Sequence, residues 1–182
     1  MQFVPALLIA LVTSVGFAMA EGAEERTIDD MFAELQEAEG AEARLLEAEI
    51  WAEWSRSGSD SMDLLLDRGR KAIEAGDYAL AVDHLTALTD HAPDFAEGWN
   101  ARATALFYLS RYGEAVDDIA KALTLNPRHF GAMSGLAFVY QAMDKPKMAL
   151  SILREVRKLN PHQEGIDEQI RMLEKEAGEE LI

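Results

Sequence analysis

A period of 34 residues runs through most of this 182-residue sequence. Pro93, Pro127 and Pro161 stand 34 residues apart, and the same step brings residues of similar size into register. The aligned sets are Ala81, Ala115 and Ala149; Leu85, Ile119 and Leu153; Leu88, Ala122 and Val156; Leu65, Trp99 and Met133; and Gly69, Ala103 and Ala137. Such self-similarity is typical of stacked repeats, which bury their apolar faces against one another. The predicted repeats cover residues 62–95, 96–129 and 130–163.

Each repeat has the pattern of two amphipathic helices. Small residues occupy the slots where two helices must approach closely, and large apolar residues at i, i+3, i+4 and i+7 fill the space between them. Each repeat proline stands just past a second helix, where its missing N–H ends that helix. Pro146 falls at the first turn of a helix, where proline is tolerated. The predicted helices span 62–75, 78–91, 96–109, 112–125, 130–143 and 146–159.

The repeat resembles the tetratricopeptide repeat, whose 34-residue signature is W-x2-L-G-x2-Y, then A-x3-F, then P. The middle copy matches it best, with Trp99, Ala103, Leu106, Tyr112, Ala115, Ile119, Ala122 and Pro127. It departs at Arg102, where the family usually has leucine. The resemblance covers about residues 62–161. It implies an all-α fold, an α-solenoid of three helix-turn-helix repeats, and a role in protein–protein interaction.

Residues 21–61 are predicted to form an acidic helical hairpin and a joint. Thr27 and Asp30 have the spacing of a capping box, and Gly40 separates two apolar stripes. The stripes are Ile28, Phe32 and Leu35, then Leu45, Ala48, Trp51 and Trp54. We interpret the hairpin as an N-terminal cap, a degenerate fourth unit packed on the first repeat. In the alternative, Trp51 and Trp54 dock a partner or fold back into the chain's own groove.

Residues 162–182 are predicted to form a capping helix and an acidic tail. Ile166, Ile170 and Leu173 share one face of this helix, and Glu or Lys residues occupy the rest. Repeat arrays require an end unit with a polar outer face, and this segment fits that requirement.

Residues 1–20 have the pattern of a signal peptide. Phe3 to Phe17 is an apolar run broken only by Thr13 and Ser14, and it leads to a small-x-small motif at Ala18 and Ala20. The run is short for a membrane span, which needs about 20 residues. We therefore predict cleavage after Ala20 and export to the periplasm or the medium. Retention as an uncleaved anchor is the alternative.

The charge distribution excludes several partner classes. The formal net charge is −16, with −10 in residues 21–60 and −5 in residues 162–182, while residues 61–161 are nearly neutral. Nucleic acids require a basic footprint, and the sequence has none. Anionic membrane surfaces repel such a chain, so no membrane association is expected after cleavage. Cysteine is absent, which excludes disulfides and thiol chemistry.

No motif for catalysis, cofactor binding or metal binding is present. The four histidines form neither an HExxH pair nor an i, i+4 pair. His129 and His162 follow repeat prolines and are interpreted as ordinary loop residues. Asp117 and Asp118 are adjacent, so they point to different helix faces. We expect a protein that is not an enzyme and needs no cofactor.

The resemblance implies a concave groove lined by the first helix of each repeat. The candidate groove residues are Leu66, Arg70 and Ile73; Asn100, Thr104 and Phe107; and Ser134, Phe138 and Gln141. They predict a partly aromatic groove for a peptide with apolar side chains. Some family members grip a C-terminal carboxylate with Lys, Arg and Asn. Here Ala101, Gly131 and Gly135 surround the groove amide and cation, so that clamp is not expected. For both phenylalanines, packing against the neighbouring repeat is an equally open interpretation.

Two functional hypotheses follow from these observations. In the first, the chain is a binding adaptor in the cell envelope that holds a protein or peptide partner in its groove. In the second, it is a self-assembling structural protein, a homo-oligomer in which one copy's N-terminal hairpin docks in another copy's groove.

Overall fold

The computed structural model describes residues 26–178, and within that range the chain is all-α. Nine helices follow one another in this part of the chain: α1 (Ile28–Glu37), α2 (Gly40–Trp54), α3 (Asp60–Glu74), α4 (Tyr78–His91), α5 (Ala96–Tyr108), α6 (Tyr112–Leu125), α7 (Phe130–Ala142), α8 (Pro146–Leu159) and α9 (Ile166–Ala177). The six repeat helices begin and end within two residues of their predicted bounds. The predicted signal peptide, residues 1–20, lies outside the described residues.

The helices stack as an α-solenoid, as predicted. The pairs α3–α4, α5–α6 and α7–α8 form hairpins, and α5 contacts both α3 and α7. The first helices therefore line the inner, concave face. Ala81, Ala115 and Ala149 are fully buried, in agreement with their role at close helix contacts. At Gly69 a Cβ atom would overlap the side chain of Leu85, so glycine is what lets α3 approach α4.

Arg102 occupies a position where the repeat signature has leucine, and it makes polar contacts there. Its guanidinium donates two hydrogen bonds of 2.7 Å to the carboxylate of Asp118 and one of 2.9 Å to Thr89 Oγ1. It also lies over the ring of Trp99, 4.8 Å from the centroid. The hydrogen bonds to Asp118 raise the pKa of Arg102. Asp118 is buried and Asp117 is exposed, so the two carboxylates do face different ways.

The start of α1 has the capping box that the sequence predicts. The backbone N–H of Asp30 donates to Thr27 Oγ1 at 3.2 Å, and the backbone N–H of Thr27 donates to Asp30 Oδ2 at 2.9 Å. Hydrogen bonds from the Thr27 side chain and backbone hold the pKa of Asp30 below its ordinary value. The local pattern therefore determines where α1 begins.

The position of the hairpin α1–α2 differs from the predicted fourth repeat unit. It folds back across the array and shares a core with α7, α8 and α9, into which it contributes Phe32, Leu35, Leu46 and Ile50. Gln36 Nε2 also donates to the carbonyl of Leu159 at 2.9 Å. The prediction that the hairpin packs on the first repeat is wrong. One physical reason is that α3 exposes charged side chains there, such as Asp67 and Lys71, which pair with each other at 2.7 Å.

The predicted stripe on α2 is also partly wrong. Leu45 is 66% exposed and Ala48 is exposed, whereas Ala43, Leu46 and Ile50 form the buried face. At the far end of the chain the prediction is confirmed, because Ile166, Ile170 and Leu173 of α9 are all buried. No helix within residues 26–178 is long and apolar enough to cross a membrane.

Candidate functional site

Two tryptophans of α2 close one section of the concave face. The Trp51 ring lies against Gly131 in the first turn of α7, and a Cβ atom at position 131 would overlap that ring. The Trp54 ring stacks on His129 with centroids 4.2 Å apart and lies 4.9 Å from Phe130. The structure thus shows the alternative in which these tryptophans fold back into the chain's own groove.

A buried polar network supports the two tryptophans. His129 is fully buried, and its Nδ1 accepts a hydrogen bond from the backbone N–H of Ala132 at 3.2 Å. Since Nδ1 is an acceptor, Nε2 carries the proton and donates to Glu97 Oε2 at 2.9 Å. The interpretation of His129 as an ordinary loop residue is therefore wrong. Its ring caps α7 and forms a fixed platform for Trp54.

Glu97 is the centre of this network and is only 3% exposed. Besides the histidine, it accepts hydrogen bonds from Arg70 Nη2 at 2.6 Å and from Asn100 Nδ2 at 2.9 Å. Arg70 also donates to Ser55 Oγ at 3.0 Å, just past the end of α2. The one cation among the predicted groove residues is thus neutralised by a buried carboxylate.

An open cavity of about 250 Å³ lies between α5 and α7, and we call it the aromatic cavity. It is lined by Asn100, Ala103, Thr104, Phe107, Tyr108, Ile119, Gly131, Gly135, Phe138 and Val139. None of these side chains is charged. Phe138 is 48% exposed, whereas Phe107 packs on Tyr112 with ring centroids 5.8 Å apart. Both phenylalanines line the cavity, but Phe107 also packs within the protein, whereas about half of the Phe138 side chain is exposed.

A second cavity of about 270 Å³ adjoins the first, and we call it the Trp51 cavity. It is lined by Trp51, Arg70, Ile73, Glu74, Glu97, Asn100, Ala101 and Thr104. Asn100 and Thr104 line both cavities, so the two form one continuous surface. The carboxylate of Glu74 makes no ion pair with any residue between 26 and 178. It is therefore available to a ligand.

Six of the nine predicted groove residues line these two cavities: Arg70, Ile73, Asn100, Thr104, Phe107 and Phe138. Ser134 lies nearby, in a third cavity on the other side of Trp51. Leu66 does not face the groove, because it is 2% exposed in the core of the first repeat. Gln141 is exposed and lines none of the cavities described here.

A larger cavity, of about 640 Å³, lies between the ends of the hairpin and the turns before α5 and α7. Three arginines line it, but each is already paired. Arg26 pairs with Glu34 at 3.1 Å, Arg56 pairs with Glu53 at 2.9 Å, and Arg128 pairs with Asp29. This cavity therefore offers an anion no uncompensated positive charge, and the concave face remains the better candidate site.

The replacement Gly131→Ala tests the position of the Trp51 ring directly. The added methyl group overlaps the indole, so we expect Trp51 to leave its position and the free energy of unfolding to fall by about 1–3 kcal/mol. Tryptophan emission should shift to the red. Gly113→Ala on α6 is the matched control, because nothing lies within 4 Å of a Cβ there. Equal effects of the two replacements would contradict the placement of Trp51.

Known proteins share both the sequence pattern and the fold. A family model described as Tetratricopeptide repeat matches residues 96–129. A TPR repeat-containing protein of Rhizobium etli is 34% identical over 161 residues, which span 87% of this chain and 79% of that protein. The first TPR domain of Spaghetti, bound to the HSP90 peptide SRMEEVD, aligns with a TM-score of 0.63 and 25% identity, over 66% of this chain and 95% of that chain. The TPR2B domain of yeast Sti1, in complex with pHsp70, aligns with a TM-score of 0.59 and 26% identity, over 68% of this chain and 100% of that chain.

Proposed function

The chain belongs to the tetratricopeptide-repeat family, and we propose that it is an exported scaffold that binds a partner protein in the open part of its groove. Tetratricopeptide repeats are protein-interaction modules, and the family is generally non-enzymatic. The observation that carries the proposal is the uncharged aromatic cavity, which remains open beside the section that the tryptophans close.

The aromatic cavity suits one large apolar side chain of a peptide. Its volume of about 250 Å³ is below the roughly 300–1,000 Å³ typical of small-molecule sites. Phe107, Phe138 and Ile119 provide apolar walls for such a side chain. Asn100 uses its Nδ2 on Glu97, and its Oδ1 accepts no hydrogen bond from a described residue. This oxygen is therefore free to accept from a peptide backbone N–H.

Export is the second part of the proposal. It rests on the uncharged apolar run of residues 1–20 and on the small residues Ala18 and Ala20 at its end. N-terminal sequencing of the protein recovered from a periplasmic or culture-medium fraction tests it. A chain that begins at Glu21 is expected. A cytoplasmic chain that retains Met1 would refute export.

The self-assembly hypothesis receives less support. Trp51 and Trp54, the side chains that it would use between copies, pack against α7 of their own chain. We therefore expect the purified protein to elute as a monomer at low micromolar concentration on a sizing column. A stable oligomer would favour the self-assembly hypothesis.

Partner capture tests the groove assignment. In-cell crosslinking with the double variant Asn100→Ala, Phe107→Ala should recover at least about ten-fold less of the main partner than the native chain, with unchanged helicity by circular dichroism. Phe138→Ala, at a half-exposed position, should weaken capture with only a small loss of packing. Met172→Ala, which is exposed on α9, is the control. Undiminished capture by both groove variants would show that the partner binds elsewhere.

A further inference from the structure

Resting on the proposed function, we infer that the groove takes a basic peptide segment. In this proposal one large apolar side chain of the peptide enters the aromatic cavity, and a neighbouring Lys or Arg lies in the Trp51 cavity. The inference depends on the charges around the two cavities and on Trp51, the hairpin side chain that lines one of them.

Among residues 26–178, the lining of the Trp51 cavity leaves one charge unpaired, and it is negative. Arg70 is held by Glu97 at 2.6 Å and by Ser55 at 3.0 Å, so its positive charge is compensated within the protein. Glu74 lines the same cavity and has no ion-pair partner among residues 26–178. A ligand that enters here thus meets an uncompensated carboxylate.

Trp51 adds a second feature that favours a cation. Its indole lines the Trp51 cavity and also the third cavity, where Glu47 and Glu164 occur with a single arginine, Arg44. A Lys or Arg side chain over an indole face gains a cation–π attraction. Glu74 and Trp51 together therefore form a place for one cationic side chain beside an apolar pocket.

The surroundings strengthen this preference at longer range. The segment that supplies the hairpin, residues 21–60, carries a net charge of −10, and the whole chain carries −16. Such a field raises the encounter rate of cationic ligands and lowers that of anionic ones, most strongly at low salt. The aromatic cavity holds the peptide, and the negative charge of Glu74 and of residues 21–60 favours a cationic one.

The acidic peptide seen in one structural neighbour illustrates the contrast. The HSP90 peptide SRMEEVD bound to the Spaghetti domain carries three acidic side chains. Neither cavity of this chain offers them an unpaired cation within residues 26–178, because the only arginine there is already bound to Glu97. Carboxylates placed in this groove would lose water without gaining a partner.

A displayed library of random nonapeptides, selected on the purified protein, tests the inference. We expect the enriched peptides to carry an aromatic or leucine side chain next to Lys or Arg. Synthetic copies of these peptides should bind Glu74→Lys at least about five-fold more weakly than they bind the native protein. Their binding to the native protein should also weaken at high salt. The matched control is Asp83→Lys, which makes the same change of net charge at an exposed position on α4. Its effect should be below about two-fold.

The outcomes separate this inference from the proposed function. Peptides that are acidic or neutral, yet lose binding in Phe138→Ala, would overturn the charge preference and leave the groove function standing. Equal losses in Glu74→Lys and Asp83→Lys would also overturn it, because net charge rather than the Trp51 cavity would then select the ligand. Failure to enrich any peptide whose binding depends on Phe138 would overturn both proposals.

Discussion

Removal of residues 21–57 is expected to lower the free energy of unfolding by at least about 5 kcal/mol and the melting temperature by about 10–20 °C. The hairpin buries Leu35 and Ile50 completely and Phe32 almost completely. Each such side chain contributes about 1.5–3 kcal/mol when it leaves water, and the facing residues of α7, α8 and α9 would become exposed as well. Thermal and urea unfolding followed by circular dichroism measure the loss.

Two adjacent leucines in α2 provide a matched point test of the same packing. Leu46 is 5% exposed and Leu45 is 66% exposed. Leu46→Ala should therefore cost about 2–4 kcal/mol, and Leu45→Ala less than about 0.5 kcal/mol. Both changes keep a strong helix former, so helix propensity does not account for the difference. Equal costs in urea unfolding would contradict the position of the hairpin.

The truncation also determines what the hairpin does. If the truncated protein kept its melting temperature and bound the selected nonapeptides more tightly, the hairpin would be a lid that competes with the partner. The shared core with three other helices leads us to expect the opposite result. The hairpin is then a permanent part of the domain that shortens the groove and supplies Trp51 as one of its walls.

The repeat helices were predictable because their positions depend on local and periodic rules. The 34-residue period places small residues such as Ala81 and Ala115 at the helix contacts, and both are fully buried. The repeat prolines and Pro146 mark helix ends and starts at positions that local backbone geometry requires. The other contacts of each repeat helix are made with the neighbouring repeats, so the 34-residue period was sufficient to predict these helices.

The site of the hairpin depends on contacts that no local rule reveals. Trp51 lies against Gly131, 80 residues later in the sequence, and only the absence of a side chain there makes room for the indole. Leu45 and Leu46 are equally apolar in the sequence, and the tertiary contact of α2 alone decides which is buried. The sequence predicted two helices with tryptophans but left open where those tryptophans bind.

Glu97 and His129 were missed for a related reason. A carboxylate in the first turn of a helix and a histidine in a turn are both common on protein surfaces. The repeat alignment did contain a signal, since the slot of Glu97 holds an acid in two repeats, Asp63 and Glu97, and a glycine, Gly131, in the third. That pattern shows that the slot differs between repeats, but it does not show that the acid faces a buried histidine.

Glu97→Ala is expected to cost about 2–4 kcal/mol of unfolding free energy. The change leaves the Nε2–H of fully buried His129 and the Nδ2 of Asn100 without their acceptor, and Arg70 keeps only Ser55. A buried donor without a partner costs about 1–3 kcal/mol, and loss of the ion pair to the half-exposed arginine adds less. Because His129 also caps α7 and supports Trp54, the tryptophan emission should shift to the red together with the loss of stability.

Two control variants distinguish the loss of the hydrogen bonds to Glu97 from the loss of a negative charge. Glu97→Gln keeps one acceptor oxygen at the same place, so it should cost less than half as much as the alanine variant and leave the emission nearly unchanged. Glu74→Ala removes an exposed carboxylate from the same groove and should cost less than about 0.5 kcal/mol. If Glu97→Ala lowered the free energy of unfolding no more than Glu74→Ala does, the buried hydrogen bonds would not be what holds His129 against Trp54. The apolar packing of Trp51 and Trp54 alone would then position this section of the groove.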